Sequence, residues 1–204
     1  MKKTLKLTTA LLLVFTMVLS LTGCGEIKKA ETSVNGLLTA FKNADIESAQ
    51  KYINLDDLKE ADGEDDSITS DTEFLVQNMF KQLDYKIISS EKKDDSTVVV
   101  TTEITNTDMK PVMGEFFASA LQYAFSNAFA DPQPTEEETS KKMEELLITS
   151  LTKEDLATVT NTADITVVKA EDKSWKIKSD DAFLDALLGG LYKATKELEN
   201  SFNE

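Results

Sequence analysis

The side chains of this sequence that could do chemistry are one cysteine, Cys24, four tyrosines and many lysines and carboxylates. Histidine is absent, and all 22 basic residues are lysine, so arginine is absent as well. Without histidine there is no Ser-His-Asp or Cys-His catalysis, no histidine-ligated metal and no imidazole proton shuttle. Without arginine there is no bidentate clamp for carboxylates or phosphates. Any enzymatic chemistry would therefore rest on carboxylates, tyrosine and lysine.

Cys24 stands at the end of a segment typical of a secretion signal. Three lysines within residues 1–6 precede an uncharged run, residues 7–23, which is rich in Leu, Val, Phe, Met and Thr. The residues Leu-Thr-Gly-Cys at 21–24 resemble the lipobox of bacterial lipoproteins. This resemblance implies that residues 1–23 are a cleaved signal peptide and that the Cys24 thiol carries a diacylglyceryl group. Two or more acyl chains, such as palmitate, would give durable membrane attachment.

Two other interpretations of this segment remain open. Cys24 could be an incidental thiol after an ordinary signal peptide, and residues 7–23 are at the lower length limit of an uncleaved membrane-spanning helix. Lipidation is favoured because the cysteine occurs once and stands where lipoprotein processing needs it. We therefore predict a protein that is anchored through Cys24 to the extracytoplasmic face of the cell membrane.

The chain is strongly acidic, with a formal net charge of −15. Cleavage after residue 23 would remove three lysines and no acid, so the mature chain would be more acidic still. Such a surface repels nucleic acid phosphates and anionic lipid headgroups. The length suits one hydrophobic core, and a lone cysteine forms no internal disulfide. We predict a lipidated cysteine with a short tether at residues 24–31 and a single domain at residues 32–204.

Acidic residues are concentrated between Asp56 and Asp66, where they could gather oxygen ligands for calcium. The stretch fails the EF-hand pattern, because placing Gly63 at the sixth loop position puts Leu58 at the first. The alternative is a solvated acidic loop, which we favour. We therefore predict no metal site and no cofactor.

The first half of the chain changes its hydrophobic period from that of a helix to that of a strand. Helical spacing from Val34 to Phe41 is followed by Asp45, a suitable N-cap for a second helix. Residues 70–73, Ser-Asp-Thr-Glu, form a capping box for a third. Alternating residues then predict two strands, at 85–89 and 97–105.

The second half repeats this order without repeating the sequence. Asp108 can cap a long helix, about residues 109–129, whose apolar residues occupy much of its circumference. A capping box at residues 135–138 opens another helix, strands follow at 158–168 and 174–177, and a last helix contains a Gly-Gly pair at 189–190. That pair either permits close packing or breaks the helix.

These elements predict an α+β domain with an antiparallel sheet of about four strands and helices packed on one face. Residues 38–49, 105–109, 175–177 and 187–191 resemble uncharacterised Gram-positive lipoproteins, whose domain is similar to the nuclear transport factor two-like, or cystatin-like, superfamily. The resemblance covers most of residues 30–192. It implies a sheet that often folds around an apolar pocket, whereas the helices inserted between the two strand pairs depart from the compact core of the superfamily. The resemblance selects no function, because the superfamily includes enzymes and binding modules.

The candidate ligand pocket consists of Phe116, Tyr123 and Phe125 on the long helix, together with Trp175. The alternative that we favour is a closed core, in which the neighbouring helix shields the second side with Met143, Leu146 and Leu147. The long helix could also expose an apolar patch. Trp175 alternates with Ile177 on a strand, which is also typical of the core.

Some members of the superfamily perform proton transfer with a Tyr and an Asp in an apolar cavity, and this chain has tyrosines at 52, 85, 123 and 192. None of them stands in a specific motif, so we predict no catalytic residue. The leading hypothesis is a non-enzymatic binding or interaction module whose cavity or helical face meets a small apolar ligand, a peptide or an envelope protein. The alternatives are an enzyme of carboxylate and tyrosine type and a structural envelope subunit.

Overall fold

The computed structural model describes residues 25–53 and 70–202, with side chains described in 25–53 and 74–196. Groups of helices and pairs of strands follow one another along the chain in the predicted order. The elements are α1 (25–42), α2 (Ile46–Ala49), α3 (Ser70–Met79), β1 (Asp84–Lys92), β2 (Thr97–Thr107), α4 (Met109–Asn127), α5 (Glu136–Leu151), β3 (Thr158–Lys169), β4 (Trp175–Ile177), α6 (Asp181–Leu187) and α7 (Leu191–Phe202).

The four strands form one antiparallel sheet in the order β1-β2-β3-β4. The central pair is the longest, because β2 and β3 stay in register from Thr97 opposite Val168 to Thr107 opposite Thr158. From Thr97 to Asn106, even-numbered residues of β2 are buried and odd-numbered ones are partly exposed, which is the two-residue period of a strand that is covered on one face. The predicted α+β class with a four-stranded antiparallel sheet is therefore confirmed.

Helices α1 and α6 cover the buried face of the sheet. Val34, Leu37 and Leu38 of α1 are fully buried, as is Phe183 of α6, and they share one apolar cluster with the inward residues of β2, β3 and β4. Trp175 belongs to the same cluster. Along the chain, α4 and α5 lie between β2 and β3, as predicted.

The predicted N-caps form as hydrogen bonds. Asp45 accepts from the Ser48 backbone N–H at 2.9 Å, and Asp108 accepts from that of Lys110 at 3.1 Å. Thr135 and Glu138 make both bonds of a capping box at the start of α5. These caps satisfy backbone donors that a helix end leaves free, which is why short local motifs located the starts of α2, α4 and α5 correctly.

Residues 25–31 differ from the predicted tether, because they form the first turns of α1. Ala30 is fully buried and Ile27 packs against the core, so this segment stabilises the fold. The Lys92 ammonium contacts Glu26 at 2.6 Å and Asp95 at 2.7 Å, and these hydrogen bonds, that to Asp95 first, raise the pKa of Lys92 to about 12. The Lys92–Glu26 ion pair therefore joins the start of α1 to the end of β1.

The Gly-Gly pair both ends a helix and permits a close contact. Helix α6 ends at Leu187, and Gly189 and Gly190 have φ angles of 57° and 83°. The Gly189 carbonyl accepts from the Met109 backbone N–H at 3.0 Å, at the start of α4. Here the chain passes so close to Thr107 that a side chain at residue 189 would overlap it.

Three predictions lie outside the described residues: the signal peptide at 1–23, the lipidated Cys24 and the whole acidic stretch from Asp56 to Asp66. Within the described part of the chain, none of the helices has the length and apolar character that a bilayer crossing requires. The same part contains no group of three acidic or cysteine side chains arranged to hold a metal ion.

Candidate functional site

Helix α4 is positioned by its first turn. Met109 and Val112 are 1% exposed, and they form a second apolar cluster with Leu151 at the end of α5. Leu75 of α3 and Leu191 of α7 pack against it. The start of α4 therefore packs on α5 and α7 in a second, smaller apolar cluster. This cluster lies at the end of the sheet where β2 ends.

Beyond this first turn, one side of α4 faces its neighbours and the other faces solvent. Phe116 and Tyr123 are partly buried. On the opposite side lie three large apolar residues with increasing exposure, Phe117 37%, Leu121 58% and Phe125 76%, and Phe129, in the turn directly after the helix, is 97% exposed. They follow one another at four-residue intervals, and we call them the α4 apolar stripe. The closed core that sequence analysis considered for this helix does not form.

The stripe is free of charge. Between Glu115 and Asp131 the chain has no acidic or basic residue, although 29% of the whole sequence is charged. Glu115 itself forms an ion pair with Lys153, at the start of the α5–β3 connection. A solvated helix face normally carries charged side chains, so an uncharged and apolar one needs a separate explanation.

The residues of the predicted ligand pocket do not come together. Phe125 projects into solvent, and Phe116 and Tyr123 lie on the other side of α4. Trp175 is 5% exposed and lies in the main core between α1 and the sheet, where its backbone carbonyl accepts from the Ser33 hydroxyl at 2.8 Å. Cys24, the predicted lipid attachment site, lies outside the described residues.

A cleft of about 490 Å³ lies beside the base of α4, between α3, the end of β2 and the α5–β3 connection. Its charged residues balance, because Lys81 and Lys153 are matched by Glu154 and Asp155. Gln82 bridges the cleft, with its amide N–H groups pointing to the Thr107 hydroxyl and the Leu156 carbonyl. This cleft was not predictable from the sequence, because its walls come from three separate segments without a motif.

The described tyrosines and acids form no buried catalytic pair. Tyr192 donates to Asp181 at 2.8 Å, but both lie on the surface between α6 and α7. Hydrogen bonds from Lys196 and Tyr192 keep the pKa of Asp181 below its usual value, so this carboxylate is ionised at neutral pH. Asp185 is buried, and it accepts from the Lys193 backbone N–H at 2.9 Å.

Comparison with known proteins identifies no family. No family model matches the chain, and no curated protein matches it either. A crystal structure of ycdA from Bacillus subtilis, a candidate lipoprotein, is similar with a TM-score of 0.38 and 16% identity. The similarity covers 68% of this chain and 42% of that chain, so the chain spans less than half the length of ycdA. The function of the chain does not follow from this likeness.

Proposed function

We propose that the chain is a lipid-anchored, extracytoplasmic interaction module that binds its partner through the α4 apolar stripe. The single observation that carries this proposal is the exposure of Phe117, Leu121, Phe125 and Phe129 along one uncharged helix face. With roughly 200 Å² for a fully exposed aromatic side chain, the stripe presents about 500 Å² of apolar surface. The largest apolar patch of a soluble domain is commonly about this size, and it is often a functional site.

The anchor and the stripe belong to different ends of the sheet. Glu26, two residues after the proposed lipidated cysteine, contacts Lys92 at the end of β1, whereas α4 begins directly after the opposite end of β2. The eleven residues of β2 span about 36 Å at 3.3 Å per residue. Attachment through Cys24 would therefore hold the sheet at one end and leave the base of α4 away from the lipid.

We also propose that the domain is of the nuclear transport factor two-like, or cystatin-like, type. The support is an N-terminal helix packed on a four-stranded antiparallel sheet. In this chain, side chains of α1 and α6 fill the covered face of the sheet. This filling favours recognition on the outer surface over an internal ligand pocket.

A non-enzymatic role is part of the proposal. The sequence lacks histidine and arginine, and the Tyr192–Asp181 pair lies on the surface rather than in an apolar cavity. A carboxylate and tyrosine enzyme would need a carboxyl group with a raised pKa that faces its tyrosine. Asp181 has the opposite shift.

Changing Cys24 to alanine tests the anchor. We expect the wild-type chain to sediment with membranes, and Cys24→Ala to lose its thioether-linked lipid and to retain the signal peptide, because cleavage follows lipidation. Mass spectrometry of the membrane-extracted protein measures both, and Lys29→Ala, at an exposed position that leaves the lipobox intact, is the control. An unmodified Cys24 in the wild-type mature protein contradicts the anchor.

Changing Leu121 to aspartate tests the stripe. We expect lysine-reactive crosslinking of intact cells to give discrete adducts of the wild-type chain, and Leu121→Asp to lose them because a charge opposes desolvation of the face. The free energy of unfolding should change by less than about 1 kcal/mol, since the side chain is 58% exposed.

Ile88→Asp is the matched control, because Ile88 is an aliphatic residue of β1 that is 47% exposed outside the stripe. Its adducts should equal those of the wild type. Adducts that survive Leu121→Asp, or a wild-type chain that gives none, would count against the stripe as the binding surface.

A further inference from the structure

The solvent side of α4 has the spacing of a coiled-coil seam. Gly114, Ala118, Leu121, Phe125 and Ala128 recur at alternating intervals of four and three residues, and all five are exposed. This 3.5-residue period is the pattern that keeps one helix in contact with another over several turns. The opposite side of α4 already faces α5 and α7. The helix thus carries two apolar seams, and the outer seam fits a further helix.

We propose that the outer seam pairs with the same seam of a second copy of the chain. This inference rests on the proposed function of the α4 apolar stripe and names its partner. The homotypic contact is α4 against α4, formed between two anchored molecules and centred on Leu121.

The sizes of the side chains are complementary under a two-fold axis. When two α4 helices meet antiparallel about Leu121, Gly114 lies opposite Ala128, and Ala118 lies opposite Phe125. At the outer levels a small residue therefore faces a larger one, and at the central level Leu121 faces Leu121 of the other copy. The exposed ring of Phe125 can enter the space above Ala118 of the other copy. Such an isologous contact needs one self-complementary patch, which is what this helix face provides.

The charge pattern favours a second copy over a different protein. A seam that selects an unlike partner normally has charged flanks that attract it and reject others. This seam has none between Glu115 and Asp131. Two anchored chains, each more acidic than the formal net charge of −15 of the full sequence, repel one another over most of their surfaces, but apposition of this face brings no like charges into the contact.

The area is sufficient for association. Two stripes of about 500 Å² each, joined face to face, would bury about 1,000 Å² in total, which is near the lower limit for a specific interface. The flanking alanines at 118, 124 and 128 are also exposed and would add to it. Anchoring in one membrane would further favour such a modest interface by raising the local concentration.

A single introduced cysteine tests the pairing in the full chain. Gln122 is exposed beside Leu121, so Gln122→Cys places a free thiol near the two-fold axis, while Cys24 is blocked by lipid. Treatment of cells with a short bis-maleimide should convert Gln122→Cys to a species with twice the mass of the mature chain. Glu171→Cys, an exposed thiol in the β3–β4 turn, should remain monomeric.

Adding Leu121→Asp to Gln122→Cys should reduce the dimer at least tenfold. A Gln122→Cys chain that stays monomeric while lysine-reactive adducts of the wild type persist overturns the second copy as partner and leaves the proposed function standing. Crosslinked adducts to a protein of different mass likewise overturn the second copy as partner and leave the proposed function standing. Loss of all adducts from the wild type overturns both.

Discussion

Gly189→Ala should destabilise the protein by about 3 to 5 kcal/mol, the range of the most damaging single substitutions. A Cβ atom at residue 189 would lie 1.8 Å from the Thr107 carbonyl oxygen, which is backbone and cannot swing aside. The φ angle of 57° adds a cost of about 1 to 2 kcal/mol for a residue with a side chain. The contact can relax only by separating the α6–α7 turn from the start of α4.

Gly190→Ala is the matched control, because its φ angle of 83° is equally unusual for alanine but nothing lies within 4 Å of its Cβ position. It should cost only the conformational part, about 1 to 2 kcal/mol. Urea unfolding followed by circular dichroism measures both variants. Equal losses of unfolding free energy for the two variants would show that the overlap with Thr107 relaxes without cost.

Trp175→Ala should cost about 3 to 5 kcal/mol, because truncation of a buried tryptophan removes apolar contacts and leaves a cavity. The side chain is 5% exposed and packs with α1 and the sheet. Its indole Nε1 is buried without a hydrogen-bond partner among the described residues, so the ring is held by packing alone. Denaturant titration gives the loss, and a value under about 1 kcal/mol contradicts the core position.

Trp175→Phe separates packing from the unpaired donor. Phenylalanine keeps most of the apolar contact and removes an indole N–H group whose burial costs free energy. We therefore expect Trp175→Phe to lose much less unfolding free energy than Trp175→Ala. Equal losses for the two variants would indicate that Nε1 has a partner in solution that stabilises the core.

The sequence predicted those parts of the fold that depend on local patterns. The N-caps at Asp45, Asp108 and Thr135 are short motifs whose hydrogen bonds form within one turn. The long strands β2 and β3 alternate buried and exposed residues, so their two-residue period was visible without knowledge of their partners. The Gly-Gly pair indicated a break or a close approach, and the structure has both.

Features that depend on distant segments were not predictable in this way. Residues 25–31 looked like a polar tether because their charges dominate, and only the sheet shows why Ala30 and Ile27 are covered. The width of the apolar surface on α4 was evident, but periodicity could not decide whether α5 covers it. Exposure of Phe125 follows from the placement of α5 on the other side, which is a tertiary fact.

If Cys24 is processed as proposed, the helical conformation of residues 25–31 sets an order of events during secretion. A peptidase that cleaves before Cys24 needs extended backbone on both sides of the bond. When Ile27 and Ala30 are packed on the core, the first turn of α1 is helical and does not offer that conformation. Cleavage of such a site requires prior local opening. If Cys24 is processed as proposed, lipid attachment and cleavage come before α1 docks on the sheet, so the newly exported chain completes its fold only after it is tied to the bilayer.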